Sequence, residues 1–149
     1  QEAKVILWPG ACNVHQRFRP EQVHAVRQQL PGVRVAVHPE CPMEVVDLAD
    51  DVGSTAHIIA LVKAALPGAQ WAIGTESRLV HRLQVEHPEQ QIVSLASVPP
   101  FCRTMSQITQ ANLAAVLEAL ADGELVHEVT VGVETARWAR VALERMLAV

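Results

Sequence analysis

Tyrosine is absent from this chain and aromatic residues make up only 3% of it, so core volume has to come from Val, Leu, Ile and Ala. Basic residues are few and scattered: 12 Lys and Arg stand against 16 Asp and Glu, a formal charge of −4, and no basic run exists to follow a phosphate backbone. Nucleic acid is therefore not expected as a partner. Long apolar runs are lacking too. The stretch 58–66 is interrupted by Lys63 and falls well short of the ~20 residues a membrane span needs, so a soluble protein is expected. Cysteine is limited to Cys12, Cys41 and Cys102, an odd number at wide, unequal spacing with no Cys-x-x-Cys pair. That argues against a disulfide framework and points to a reducing cytoplasm. No basic-then-apolar leader opens the chain, which gives no hint of secretion, and a start at Gln1 directly ahead of a strand reads as a cut chain. Repeats of 20–50 residues and low-complexity segments are missing as well.

What is present is half apolar, and 149 residues suffice for one ordinary domain with a sizeable core. Short β-branched runs alternate with longer amphipathic stretches, the pattern of βαβ units and a parallel sheet. Strands are expected at 5–8, 33–37, 71–73 and 92–95. Between them, helices are expected from Pro20 to about residue 30, over about 42–49, from Ser54 or Thr55 through Leu66, and up to about 86. A loop is expected at 50–53. Pro31-Gly32 and Pro67-Gly68 supply the stops. In the helix after Ser54, the positions Ile58, Ile59, Leu61, Val62, Ala65 and Leu66 make a broad apolar face. Helical spacing returns at 109–121 and 134–147, separated by Asp122-Gly123.

In parallel α/β sheets, ligands gather at the carboxyl ends of the strands, and that is where the reactive residues fall. Cys12 follows the first strand, His38 and Glu40 the second, Thr75 and Glu76 the third and Cys102 the fourth, with Ser54 and Thr55 nearby. Gly53-Ser54-Thr55 at a helix start combines free N–H groups, two hydroxyls and the positive dipole end, which suits an anion, although helix capping alone explains such a triplet. It lacks the lysine of a nucleotide-triphosphate loop. His38-Pro39-Glu40-Cys41 sets an imidazole, a carboxylate and a thiol around a rigid proline, a group suited to proton transfer. An equally good account has His38 ending the strand and Glu40 starting the next helix. His15 is as consistent with a plain loop residue as with a site. The cysteines can be small buried hydrophobes, or thiols brought together from distant strand ends.

The order and separation of these motifs resemble the quinolinate synthase family over nearly the whole chain. Trp8-Pro9-Gly10-Ala11-Cys12-Asn13-Val14-His15 is similar to the family's tryptophan–glycine–cysteine–valine–histidine block, and His38-Pro39-Glu40-Cys41 to its histidine–proline–glutamate turn. Residues 49–55 resemble its alanine–aspartate to glycine–serine–threonine segment, and Gly74-Thr75-Glu76 and Cys102 with Met105 complete the series. The resemblance implies three α/β domains about a pseudo-threefold axis, each giving one cysteine to a 4Fe-4S cluster. On that reading this chain is a three-layer, parallel-sheet fragment with C-terminal helices. Residues 1–14 end the preceding α/β domain, 15–103 form an α/β domain and 104–149 the C-terminal helices. The resemblance makes Cys12 and Cys102 cluster ligands, leaves the third ligand in a missing N-terminal domain, and makes Cys41 a pocket-wall thiol. It implies condensation of iminoaspartate with dihydroxyacetone phosphate to quinolinate, with loss of phosphate and water, in NAD biosynthesis. Glu40 would carry protons, His38 would bind and orient substrate, Ser54 and Thr55 would hold a carboxylate or phosphate, and Thr75 would assist. Two other readings compete: a non-catalytic α/β module using Gly53-Ser54-Thr55 for a phosphorylated metabolite, and a weaker one, a zinc hydrolase using His38, Glu40 and a cysteine.

Overall fold

The structure, a computed structural model, describes residues 9–148; the strand expected at 5–8 lies outside them. The chain divides into two compact units, Gln1–Met105 and Ser106–Val149.

The first unit is built on a four-stranded sheet of β1 (Arg34–Val37), β2 (Asp51–Val52), β3 (Gln70–Gly74) and β4 (Gln91–Ser94), in the order β2-β1-β3-β4. Every neighbouring pair is parallel, with Ala36 opposite Asp51 and Ile73, and Ala72 opposite Val93. Both faces of such a sheet must be covered, which the alternation of side chains achieves. Val35, Val37 and Ala72 point to one face and pack with Phe18, Val23 and Val26 at the chain start and with Val45. Those partners come from α1 (Pro20–Gln29) and α2 (Met43–Val46) and from the segment leading into α1. Ala36, Trp71, Ile73 and Ile92 point the other way, onto Ile58 and Val62 of α3 (Thr55–Ala64) and Val80 and Leu83 of α4 (Ser77–Glu86). Three layers result, as expected.

Among the described residues Trp71 is the largest buried side chain, and its indole N–H is satisfied by Gln90 Oε1 at 3.1 Å, while Gln90 Nε2 donates to Val62 O at 2.9 Å. This one glutamine ties the single large aromatic of the sheet to the α3 side and removes the cost of a stranded donor, about 1–3 kcal/mol.

Three expectations need correction. Residues 51–52, expected as loop, form β2, because Asp50 Oδ2 accepts the Val35 N–H at 2.7 Å and Asp50 N–H donates to Val35 O at 2.9 Å, which lays the following residues along β1. The helix expected to reach residue 49 stops at Val46 for the same reason. Leu66, expected on the buried face of α3, is 80% exposed, since Ala65 already turns extended ahead of Pro67.

The second unit contains α5 (Gln110–Ala121), capped by Thr109 Oγ1 on Asn112 N–H at 3.1 Å, and α6 (Val133–Leu147), which starts after Gly132. Neither helix has a buried residue; Leu113, Leu117, Trp138 and Leu143 are all exposed.

Candidate functional site

Because every strand of the sheet runs the same way, the carboxyl ends of all four share one edge. The strand order reverses between β1 and β3, which connect onward in opposite directions, and the crevice at such a reversal is where α/β sheets hold ligands. His38 follows β1 and Thr75 follows β3, so the two flank that crevice, and His38 N–H donates to Gly74 O across it at 3.1 Å. The ends can come this close because residue 74 is glycine. A Cβ there would lie 2.9 Å from Val37 Cγ1 and 3.2 Å from Leu95 Cδ2.

The segment before α1 adds the remaining groups. Val14 and Phe18 are buried, and between them a one-turn 3-10 helix, His15–Arg17, is held by Gln16 N–H to Cys12 O at 3.0 Å. Anchored on both sides, His15 projects into the crevice. Its ring stacks on His38, centroids 4.1 Å apart and 7° from parallel. Its Nε2 lies 3.2 Å from Thr75 Oγ1, and its Nδ1 lies 3.3 Å from Glu40 Oε2. Gln16 Nε2 donates to Glu40 O at 2.9 Å, fixing the Glu40 backbone to the same segment. His38 Nδ1 accepts the Glu40 amide N–H at 3.3 Å and lies 3.5 Å from Glu40 Oε2.

Burial holds the His15 imidazole below its ordinary pKa, and His38 in face-to-face contact lowers it further, which outweighs the pull of the Glu40 carboxylate. The arrangement is thus a pair of stacked imidazoles beside a carboxylate whose side chain is 55% exposed. Such a carboxylate reaches an incoming molecule, and the rings behind it fix its position. Proton transfer is the chemistry this group supports.

The three thiols differ sharply. Cys41 is buried, with its Sγ 3.5 Å from Gly74 O, and desolvation pushes the thiol up to about 12, so it stays protonated. Cys102 is half-buried by residue; Thr104 Oγ1 lies 3.2 Å from its sulfur, and that hydroxyl, with backbone groups of Met105 and Thr104, holds the thiol below its ordinary value. Cys12 is half-buried. Its Sγ, a ring nitrogen of His15 and a carboxylate oxygen of Glu40 all lie within 4.8 Å of one another, a donor set able to take a metal ion. Cys102 N–H donates to Glu76 Oε1 at 3.3 Å. Cys12 therefore meets the 74–76 turn through His15 and Thr75, and Cys102 meets it through Glu76.

Glu76 itself is a cap. It is 8% exposed and accepts the Arg78 N–H at 2.8 Å and the Ser77 hydroxyl at 3.3 Å, starting α4 and pinning the Cys102 loop. Ser54 caps α3 by accepting the His57 N–H at 3.3 Å, and Thr55 opens the helix with its side chain exposed. Gly53 N–H donates to Val37 O at 3.1 Å, which puts this helix start at the strand end next to His38. The residues brought together are thus Cys12, His15, His38, Glu40 and Thr75, with Ser54 and Thr55 one strand along the same edge. His15 is the member that sequence reasoning left undecided. Its signal was a histidine between Val14 and Phe18, polar in the middle of an apolar anchor.

A family model described as quinolinate synthetase A protein matches residues 1–148. The chain is 52% identical over 149 residues to a quinolinate synthase of Rhodopirellula baltica, covering all of this chain and 38% of that protein. It is 47% identical over 147 residues to one of Geobacillus thermodenitrificans, covering 99% of the chain and 40% of the relative. Against one of Streptomyces coelicolor it is 49% identical over 150 residues, with 99% and 38% covered. The chain spans about two-fifths of the length of these relatives.

Proposed function

Since the chain belongs to the quinolinate synthase family, we propose that it supplies the Glu40–His38 edge of an active site that condenses iminoaspartate with dihydroxyacetone phosphate to quinolinate. That reaction releases phosphate and water and serves NAD biosynthesis, in the cytoplasm. Among the described residues no helix is long and apolar enough to cross a membrane. The observation that carries the proposal is the convergence of Cys12, His15, His38, Glu40 and Thr75 on the crevice between β1 and β3.

Forming an aromatic ring by condensation and dehydration demands repeated proton movement, and each residue has a part. Glu40 is exposed enough to reach substrate and takes and returns protons at its carboxylate. His38 faces the crevice with Nδ1 turned to the Glu40 backbone and carboxylate, which leaves its Nε2 edge to bind and orient substrate. Thr75 and His15 hold the Glu40–His38 pair in register. The N–H groups of the first turn of α3, with the Thr55 hydroxyl, form the cradle for a substrate carboxylate or phosphate.

The family resemblance implies a 4Fe-4S cluster, and the thiols suit it. Cys12 and Cys102 are partly accessible and meet the same turn, and the Cys102 thiol is biased toward thiolate. Cys41, kept protonated in the core, does not suit a ligand. A third cysteine would come from outside this chain, from the N-terminal part of the same enzyme. When bound, such a cluster supplies a Lewis-acidic iron for dehydration.

The test uses the complete enzyme containing this segment, prepared anaerobically. Cys12→Ala and Cys102→Ala should each remove the iron–sulfide absorption and quinolinate formation, Cys41→Ala should keep both, and Glu40→Gln should keep the cluster while lowering kcat by ~100-fold or more. Cluster loss in Cys41→Ala with retention in Cys102→Ala would reverse the assignment.

A further inference from the structure

His15 Nδ1 is buried, and its polar neighbour is Glu40 Oε2, an ion-pair contact at 3.3 Å that lacks good hydrogen-bond geometry. The His15 side chain is 10% exposed. A buried ring nitrogen held this close to a carboxylate oxygen offers two donors that one cation can bridge. The third donor is already there, because the Cys12 sulfur completes a triangle whose atoms lie within 4.8 Å of one another. We propose that Cys12 Sγ, His15 Nδ1 and a Glu40 carboxylate oxygen bind one zinc-type divalent cation when no iron–sulfur cluster occupies Cys12.

The chemistry of the donors selects the metal class. One thiolate, one imidazole and one carboxylate is a borderline set that suits Zn2+ or Co2+, and is too soft for Mg2+ or Ca2+. Tetrahedral zinc places its ligands about 3.4–3.8 Å apart, so the triangle has to close by up to about 1 Å. His15 Nδ1 and Glu40 Oε2 already stand 3.3 Å apart, so it is the half-buried Cys12 side chain that has to approach. The support around the ligands resembles what zinc-bound histidines require. A ligating imidazole donates its other N–H to an outer partner, which fixes tautomer and ring orientation. Here His15 Nε2 meets Thr75 Oγ1 at 3.2 Å, the ring is clamped against His38, and Gln16 holds the Glu40 backbone. Three protein ligands leave a fourth position for water. Binding releases the Cys12 thiol proton to solvent, and no redox step is involved.

This reading goes beyond the proposed condensation but shares Cys12 and Glu40 with it, whereas Cys102 belongs to the proposed cluster and not to this triad, so a Cys102 variant separates the two. The experiment is a Co2+ titration of the 149-residue chain, purified without iron and with thiols reduced, followed by the thiolate-to-cobalt charge-transfer absorption and by Zn2+ competition. One ion per chain is expected. Cys12→Ser should abolish the charge-transfer band, and Glu40→Gln, at an exposed side chain that keeps the fold intact, should weaken binding. Thr75→Val should weaken it about 10–100-fold, as loss of an outer partner does. Cys102→Ser should leave affinity and band unchanged. Absence of a thiolate band, its loss in Cys102→Ser, or unchanged affinity in both Glu40→Gln and Thr75→Val would overturn the site.

Discussion

Thr75→Val is the perturbation that most directly probes how the crevice is held. Valine has nearly the shape of threonine, so at a position only 3% exposed the packing survives and the hydroxyl alone is lost. That hydroxyl is the partner of His15 Nε2 at 3.2 Å. Removing it strands a buried ring nitrogen, at a cost of about 1–3 kcal/mol, offset slightly by the easier burial of a methyl group. A net loss of about 1.5 kcal/mol is expected, or roughly 4–6 °C in Tm for a chain of this length. Urea unfolding followed by far-UV circular dichroism measures it, with the slope of the transition unchanged if only stability has moved. The control is a double-mutant cycle. In a His15→Ala background no ring nitrogen remains to be stranded, so Thr75→Val should cost close to nothing and the coupling should be about 1–2 kcal/mol. A cost below ~0.3 kcal/mol in the parent, or the same cost in both backgrounds, would refute the contact as the support of the crevice.

Cys102 should react with iodoacetamide at neutral pH at least about tenfold faster than Cys41, by peptide mass spectrometry, because one thiol is shifted down beside Thr104 and the other is buried and pushed up to about 12; equal rates would contradict the assignment. As an acid with a raised folded value, the Cys41 thiol contributes stability that is whole below its unfolded pKa of about 8.5 and is lost as pH rises toward 12, so Cys41→Ala should unfold with a shallower alkaline dependence. Gly74→Ala drives a methyl against Val37 and Leu95 and should cost about 1–3 kcal/mol while separating the ends of β1 and β3, seen as a lower Tm; an unchanged Tm would show that the close approach imposes nothing. For Asp50, burial raises the carboxyl pKa, but the Val35 N–H and Arg27 outweigh it and leave the value depressed. Its stabilisation is therefore present above about 3.9 and lost as pH falls through the lower folded value, so Asp50→Asn should cost about 1–2 kcal/mol at neutral pH, and the difference should vanish in acid.

Much of this was legible from residue order. The α/β class followed from the alternation of short β-branched runs with amphipathic stretches, and β1, β3 and β4 fall within a residue of their expected bounds because each is a local apolar run between Pro, Gly or acid breaks. β2 was not legible. A two-residue strand has no period, and it exists only because Asp50 bonds to β1 fifteen residues away. The same division applies to the rim. That His38, Glu40 and Thr75 follow strands could be read from the breaks, whereas their meeting depends on strand order. Glu76 was placed among the rim residues, and only the packing of the Cys102 loop shows it to be a cap.

Sequence alone determined the layered parallel class, the strand-end positions of the reactive residues and the family, since those depend on local propensity and on motifs in fixed order. Tertiary structure decided which of those residues act together. His15 and Thr75 are sixty positions apart, and no spacing rule connects them. They meet because the β2-β1-β3-β4 order sets the ends of β1 and β3 side by side, and because Val14 and Phe18, driven into the core, carry the histidine between them to that crevice.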